Sequence, residues 1–151
     1  MSPTYESNTI IMTKQEFLAI SLPYTLKCLG RRKDSKIHTI LSCYFGYNII
    51  LKVEAPNYID YTWHICDVKP ILHPLSDLTK PIEHNGETFI PIEKIAIYDP
   101  KNIQYFIEQI YTGFIEYIVL KQLIEWHFDV AGLIEKGEAI DTNTLNENPY
   151  K

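Results

Sequence analysis

Leu123-Ile-Glu-Trp-His-Phe-Asp-Val-Ala-Gly-Leu-Ile-Glu-Lys-Gly-Glu-Ala-Ile-Asp141 gathers a Trp, a Phe, a His and two acids into one helical end. The stretch then meets Gly132 and a second glycine at 137. Large aromatic side chains bury the most surface per residue, so Trp126 and Phe128, with Leu123 beside them, are expected to anchor the core. Upstream, the sequence from Phe114 to Phe128 is apolar nearly all round. Lys121, Gln122, Glu125 and Asp129 fall in one arc roughly 100° wide on a helical wheel. So narrow a polar stripe predicts a helix buried on most sides, leaving the helical conformation near Gly132. This is the expected central helix.

Working outward, Asp99-Pro100 starts the helical half, with Asp99 as N-cap and Pro100 in the first helical position. Ile103, Phe106, Ile107 and Ile110 follow at i, i+3, i+4 and i+7, an apolar stripe on one face. Asn85-Gly86 lies between two short β-prone runs and predicts a tight hairpin. Before it, the proline-bounded Pro70–Pro81 segment reads as an irregular but buried connection. Ile37–Phe45 and Tyr47–Glu54 are β-branched and aromatic runs parted by Gly46, expected to pair antiparallel. Tyr61–Val68 predicts a third strand, with Thr62, His64 and Cys66 on one face. Near the start, Thr13-Lys-Gln-Glu16 is a capping box for a short helix that Pro23 ends. The segments 1–12 and 142–151 read as flexible ends. Helix, β-rich middle, then helices gives a single α+β domain: a small antiparallel sheet packed on a central C-terminal helix.

The chain has 151 residues, enough for one proper core. Its net charge of −5 argues against a generally basic, nucleic-acid-wrapping surface. Eleven tyrosines suit an interface, where Tyr is enriched. No window approaches the ~20 apolar residues of a membrane span, and the start carries no signal-peptide pattern. Cys28, Cys43 and Cys66, an odd and widely spaced set, read as reduced thiols in a cytoplasm. Gly30-Arg-Arg-Lys-Asp-Ser-Lys36 is the most basic patch. It is either a solvated hairpin tip or, through Arg31, Arg32, Lys33 and Lys36 with Tyr44 or Tyr47, a contact for nucleic acid or a partner.

Chemistry-bearing candidates are sparse. His64-Ile-Cys66 has an i, i+2 spacing that suits a shared metal or a nucleophile–base pair; His73, His84 and His127-Phe-Asp129 offer further ligands, and His127 a general base. Simple packing is the competing reading for each. There is no C-x-x-C, no H-x-x-x-H, no P-loop, no G-x-G-x-x-G and no G-x-S-x-G. The expectation is therefore no catalytic residue, no metal and no cofactor.

Several blocks carry a resemblance: Met12-Thr-Lys-Gln-Glu-Phe-Leu-Ala19 with Ser21-Leu-Pro-Tyr24; Lys69-Pro-Ile-Leu-His-Pro-Leu-Ser-Asp-Leu-Thr-Lys80, then Ile82-Glu-His-Asn-Gly-Glu87 and Phe89-Ile-Pro-Ile92; and Glu125–Asp141 with Asn143-Thr-Leu145. Together, over about half the chain, they resemble small proteins carried by phages and prophages of Bacteroidota. The resemblance implies a cytoplasmic protein of a mobile element and transfers no catalytic residue. Such a protein is expected to inhibit a host defence nuclease, most sharply as an anti-CRISPR protein, with the effector or its guide RNA as partner and no membrane. The rival expectations are a small phage nuclease or RNA-modifying enzyme using His64, Cys66 or His127, and a virion assembly module.

Overall fold

The computed structural model describes residues 12–30, 36–44, 50–53, 61–95, 105, 108–110 and 116–151. The Gly46 turn, the Asp99-Pro100 helix start, and Ile103, Phe106, Ile107 and Phe114 lie outside them, as do Arg31, Arg32, Lys33 and Tyr47.

The fold is α+β. Helix α1, Lys14–Ser21, starts as the capping box requires: the Thr13 hydroxyl accepts from the Glu16 N–H at 3.2 Å and donates to the Glu16 carboxylate at 2.9 Å. A 3-10 turn, Leu22–Tyr24, carries Pro23. Strands follow at β1 Lys27–Gly30, β2 Ile37–Tyr44, β3 Ile50–Val53, β4 Tyr61–His64 and β5 Val68–Leu72. The hairpin β6 Ile82–His84 and β7 Glu87–Phe89 turns at Asn85 and Gly86, both with positive φ (49° and 83°). That is the two-residue turn that an Asn-Gly pair favours. Helices α2, Pro91–Ile95, and α3, Tyr117–Glu125, precede a short β8, Ile140–Asp141.

The main sheet runs β4-β3-β2-β1-β5-β8, antiparallel throughout except for the parallel β5–β8 pair. It is strongly curled. Trp63 on β4 lies so close over Gly30 on β1 that a Cβ there would fall 2.6 Å from the indole. In a flat sheet those strands stand three spacings of about 4.8 Å apart, beyond a Trp's reach. His38 meets the same indole edge-on at 5.0 Å. Inside the curl and under α1 lies one hydrophobic cluster, including Phe17, Leu18, Leu26, Ile40, Val68, Leu72, Leu123 and Phe128. The Lys14 ammonium ties α1 to the sheet by donating to the Ile65 and Val68 carbonyls at 2.8 and 2.5 Å.

Four expectations change. Tyr61–Val68 is not one strand: the His64 imidazole accepts the Cys66 N–H at 3.2 Å, and Ile65–Asp67 winds into a 3-10 turn before β5. Pro70 sits within a strand rather than an irregular link. It lies opposite Cys28, and β8 begins pairing only at Ile71, so the missing N–H faces no ladder partner.

The third change concerns α3. It ends at Glu125, not near Gly132, because His127 takes φ 62°. The His127 N–H donates to the Ile124 carbonyl at 3.0 Å and the Phe128 N–H to that of Leu123 at 2.9 Å, the paired bonds of a Schellman closure. Nor is α3 buried on most sides: Leu123 and Ile124 are buried, but Tyr117 and Ile118 are 78% and 71% exposed. The Schellman turn steers only the last helical turn into the core, and apolar residues are not all covered in a folded chain. Trp126 and Phe128 are buried as expected, Trp126 against Phe89 at 4.9 Å between ring centroids.

The fourth is the tail. Residues 142–151 are docked rather than flexible. The Asn85 N–H donates to the Tyr150 carbonyl at 2.8 Å, the Asn148 amide donates to the Glu83 carbonyl at 2.7 Å, and Tyr150 is buried. An aromatic ring with a bonded hydroxyl outweighs the polarity of its neighbours.

Candidate binding face and buried histidine seam

Strand alternation divides the sheet into two faces. Cys28, His38, Ile40 and Val68 point into the core. By register, Lys27 lies opposite Thr39, and Leu29 lies opposite both Ile37 and Lys69. These five share the outer face. Between Ile40 and Ser42 the ladder with β3 shifts by a β-bulge, beyond which Ser42 opposes Lys52. The extra residue re-aims the strand, so Leu41 and Tyr44 also emerge outward. The outer face therefore presents three lysines, Lys27, Lys52 and Lys69, beside the exposed Ile37, Leu41 and Tyr44. Strands β1 to β5 contain no Asp or Glu. Lys36 is exposed immediately before β2, and the Lys27 ammonium donates to the Thr39 hydroxyl at 2.7 Å. Of the contact set expected from sequence, Tyr44 lies at this face, and Lys36 is exposed just before β2. The strand lysines were not anticipated, although their signal was present: each stands alone in an apolar strand, at an alternate position.

The histidines converge elsewhere. His73 follows β5, His84 ends β6 and His127 closes α3, and all three surround Tyr150. The His127 ring stacks on Tyr150 with centroids 3.8 Å apart and planes 18° apart. His84 lies 5.6 Å from His127, and His73 lies 6.0 Å from Tyr150. Burial, reinforced by His84 and His73, pushes the His127 imidazole down to about 3; a bond to the Tyr24 backbone acts the other way. Burial likewise takes His73 down to about 4, against the opposing pull of Asp77, and lowers His84. The rings of His73 and His127 are thus neutral at pH 7. His127 Nδ1 and His73 Nε2 are buried without a hydrogen-bond partner in the structure.

His73 also sits near a hydroxyl and a carboxylate, but not as a relay. Thr142 Oγ1 is 3.0 Å and Asp77 Oδ2 is 3.9 Å from the same ring nitrogen, Nδ1. Proton transfer from nucleophile to base to acid needs opposite nitrogens. The arrangement ties the C-terminal turn to β5, and Asn143 reinforces it by donating to Asp77 Oδ2 at 2.9 Å. Asp129 does comparable work: its carboxylate accepts the Leu133 and Ile134 N–H groups at 2.8 and 2.9 Å. Burial raises its pKa while those bonds restrain the rise.

The His64–Cys66 pair does not survive as a chemical couple. His64 Nδ1 is occupied by the Cys66 backbone N–H, and Cys66 lies in the 3-10 turn with its thiol exposed. Among the described residues, no three His, Cys, Asp or Glu side chains are placed to hold one metal ion, and no helix is long and apolar enough to cross a membrane. Comparison of the chain with protein-family models, curated proteins and solved structures finds no match.

Proposed function

We propose that the chain is a non-enzymatic inhibitor carried by a mobile element, an anti-CRISPR protein in the sharpest form. It acts in the host cytoplasm by docking the outer sheet face onto a defence nuclease at its guide RNA. The observation that carries this is the segregation of charge: in a chain of net charge −5, strands β1 to β5 hold three outward lysines and no acid. Lysines spaced across a sheet suit a phosphate backbone, and an exposed Tyr44 offers a ring for a base to stack on. The packing of His73, His84 and His127 around Tyr150 supports binding over catalysis, because these rings hold the fold together.

The test is a plaque assay on hosts with and without an active CRISPR effector. Rescue of plaques only where the effector is present is the expected result. It should be lost in a Lys52→Glu, Lys69→Glu double variant and weakened by Tyr44→Ala. Binding of the effector's guide RNA by the purified chain should fall steeply with salt. No rescue against any effector from the same bacterial group would refute the inhibitor reading. Rescue lost in a single histidine variant that still folds and binds would favour the phage enzyme instead.

A further inference from the structure

On the side of the molecule where α1 begins, a groove of about 860 Å³ opens between the first turn of α1, the 3-10 turn after β4, β5, and the Gly132–Glu138 turns. Its volume falls in the ~300–1,000 Å³ range of small-molecule sites. Three elements bring three lysines to it: Lys14 from α1, Lys69 from β5 and Lys136 from the turn after α3. Glu138 is the one acid among its lining residues, so the wall carries a surplus of positive charge in an acidic chain. Met12 and Ile65 give it an apolar floor.

Two of the cations, Lys14 and Lys136, are held in place. Lys14 is half-buried, with its ammonium fixed by the Ile65 and Val68 carbonyls, which use two of its three donors and leave one for a ligand. Lys136 leans on the Ala131 carbonyl at 3.4 Å. The first-turn residues Thr13, Lys14 and Gln15 also line the groove, at the end of α1 where backbone N–H groups lack helical partners. A monocarboxylate brings one negative charge and two oxygens to the three ammonium groups. A phosphate dianion answers two or more, and the apolar floor accommodates a flat body attached to it.

We infer that this groove binds a phosphorylated small molecule of nucleotide size, with Lys14, Lys69 and Lys136 on the phosphate and Met12 and Ile65 under the base. The site stands apart from the proposed sheet interface. The two share only Lys69, so Lys136 is the residue that separates them.

Cys66 lines the same groove and supplies the readout. Cys28 is buried, with its thiol pushed up to about 12, and Cys43 is also raised by burial; the exposed Cys66 should therefore react first with a thiol reagent such as 5,5′-dithiobis(2-nitrobenzoate). The full chain is titrated with adenosine 5′-monophosphate while the rate of the fast thiol is followed. Saturable protection is expected, with adenosine and inorganic phosphate each at least about tenfold weaker. Lys136→Glu should weaken protection by a similar factor while leaving the circular dichroism spectrum and guide-RNA binding unchanged. No protection at millimolar nucleotide overturns the inference. So does equal protection by adenosine or by phosphate alone, or protection indifferent to Lys136→Glu with Lys136→Gln as a second variant. Loss of guide-RNA binding through Lys52→Glu or Tyr44→Ala, at residues that do not line the groove, leaves this result untouched, so the two readings fail separately.

Discussion

Mild acid should destabilise this protein through its buried histidines well before carboxylates titrate. In the unfolded chain each imidazole has a pKa near 6.5; in the fold His127 lies at about 3 and His73 at about 4. The folded values are depressed, so between about pH 6.5 and 4 the unfolded state binds protons that the folded state refuses. Stability is therefore greatest above pH 6.5 and is lost as pH falls below it. Going from pH 7.5 to 5.5, each ring should cost roughly 1.4 kcal/mol, and the two together about 3 kcal/mol. His84 shifts the same way and adds to the loss. Asp129 moves oppositely, since burial raises its pKa, and so it offsets part of the loss.

A loss of about 3 kcal/mol is a large fraction of the ~5–15 kcal/mol that holds a domain together. Urea unfolding followed by far-ultraviolet circular dichroism at the two pH values measures it directly. His127→Asn is the informative variant. Asparagine tolerates the left-handed backbone at φ 62°, keeps the Schellman closure and removes one titrating ring. Its pH-dependent loss should be smaller than that of the parent by roughly 1.4 kcal/mol. An unfolding free energy that is flat from pH 7.5 to 5.5, or an equal slope in His127→Asn, would refute the claim that these rings are held neutral by burial.

Two further outcomes are expected. Trp126→Ala, which empties the contact with Phe89 and leaves a void in the core cluster, should cost roughly 3–5 kcal/mol, and a thermal melt unchanged by it would remove Trp126 from the core. Tyr150→Phe keeps the stacking ring but leaves the Lys27 N–H and the Ile71 carbonyl unpaired, so it should cost roughly 1–3 kcal/mol and raise amide exchange at Lys27; protection equal to the parent would show that the hydroxyl is dispensable.

Where local chemistry decides the backbone, the sequence was legible. Thr13 and Glu16 start α1 as their spacing demands, and Asn85-Gly86 makes its hairpin, because each motif satisfies its own N–H groups or φ angles within a few residues. The aromatic anchors Trp126 and Phe128 were legible for a similar reason, as their area has nowhere better to go than the core. The outer sheet face was half legible. Tyr44 and Lys36 could be named, but the lysines on β1, β3 and β5 acquire a common direction only once register and the bulge at Leu41 are known. A slip of one residue would turn each strand over.

His127 and Tyr150 show why the remainder was hidden. A glycine is the usual residue at the left-handed position that closes a helix, so the sequence pointed to Gly132 as the exit. The chain instead uses His127, five residues earlier. The strain of a side chain there is offset by contacts no local pattern records, above all the ring of a tyrosine 23 positions away in a polar tail. That tyrosine has a second task. The β1–β5 ladder runs from Gly30–Val68 to Cys28–Pro70, and its next pair would be Lys27 with Ile71. There the strands are bridged by a side chain: the Lys27 N–H donates to the Tyr150 hydroxyl at 3.0 Å, which in turn donates to the Ile71 carbonyl at 2.6 Å. One hydroxyl thus completes a backbone ladder beyond the last direct pair, while its ring covers the helix closure from the other side. Both demands converge on position 150 only when β1, β5 and α3 are already assembled. The polar residues from 142 to 149 therefore read as a loose end, although they carry a residue that joins three elements.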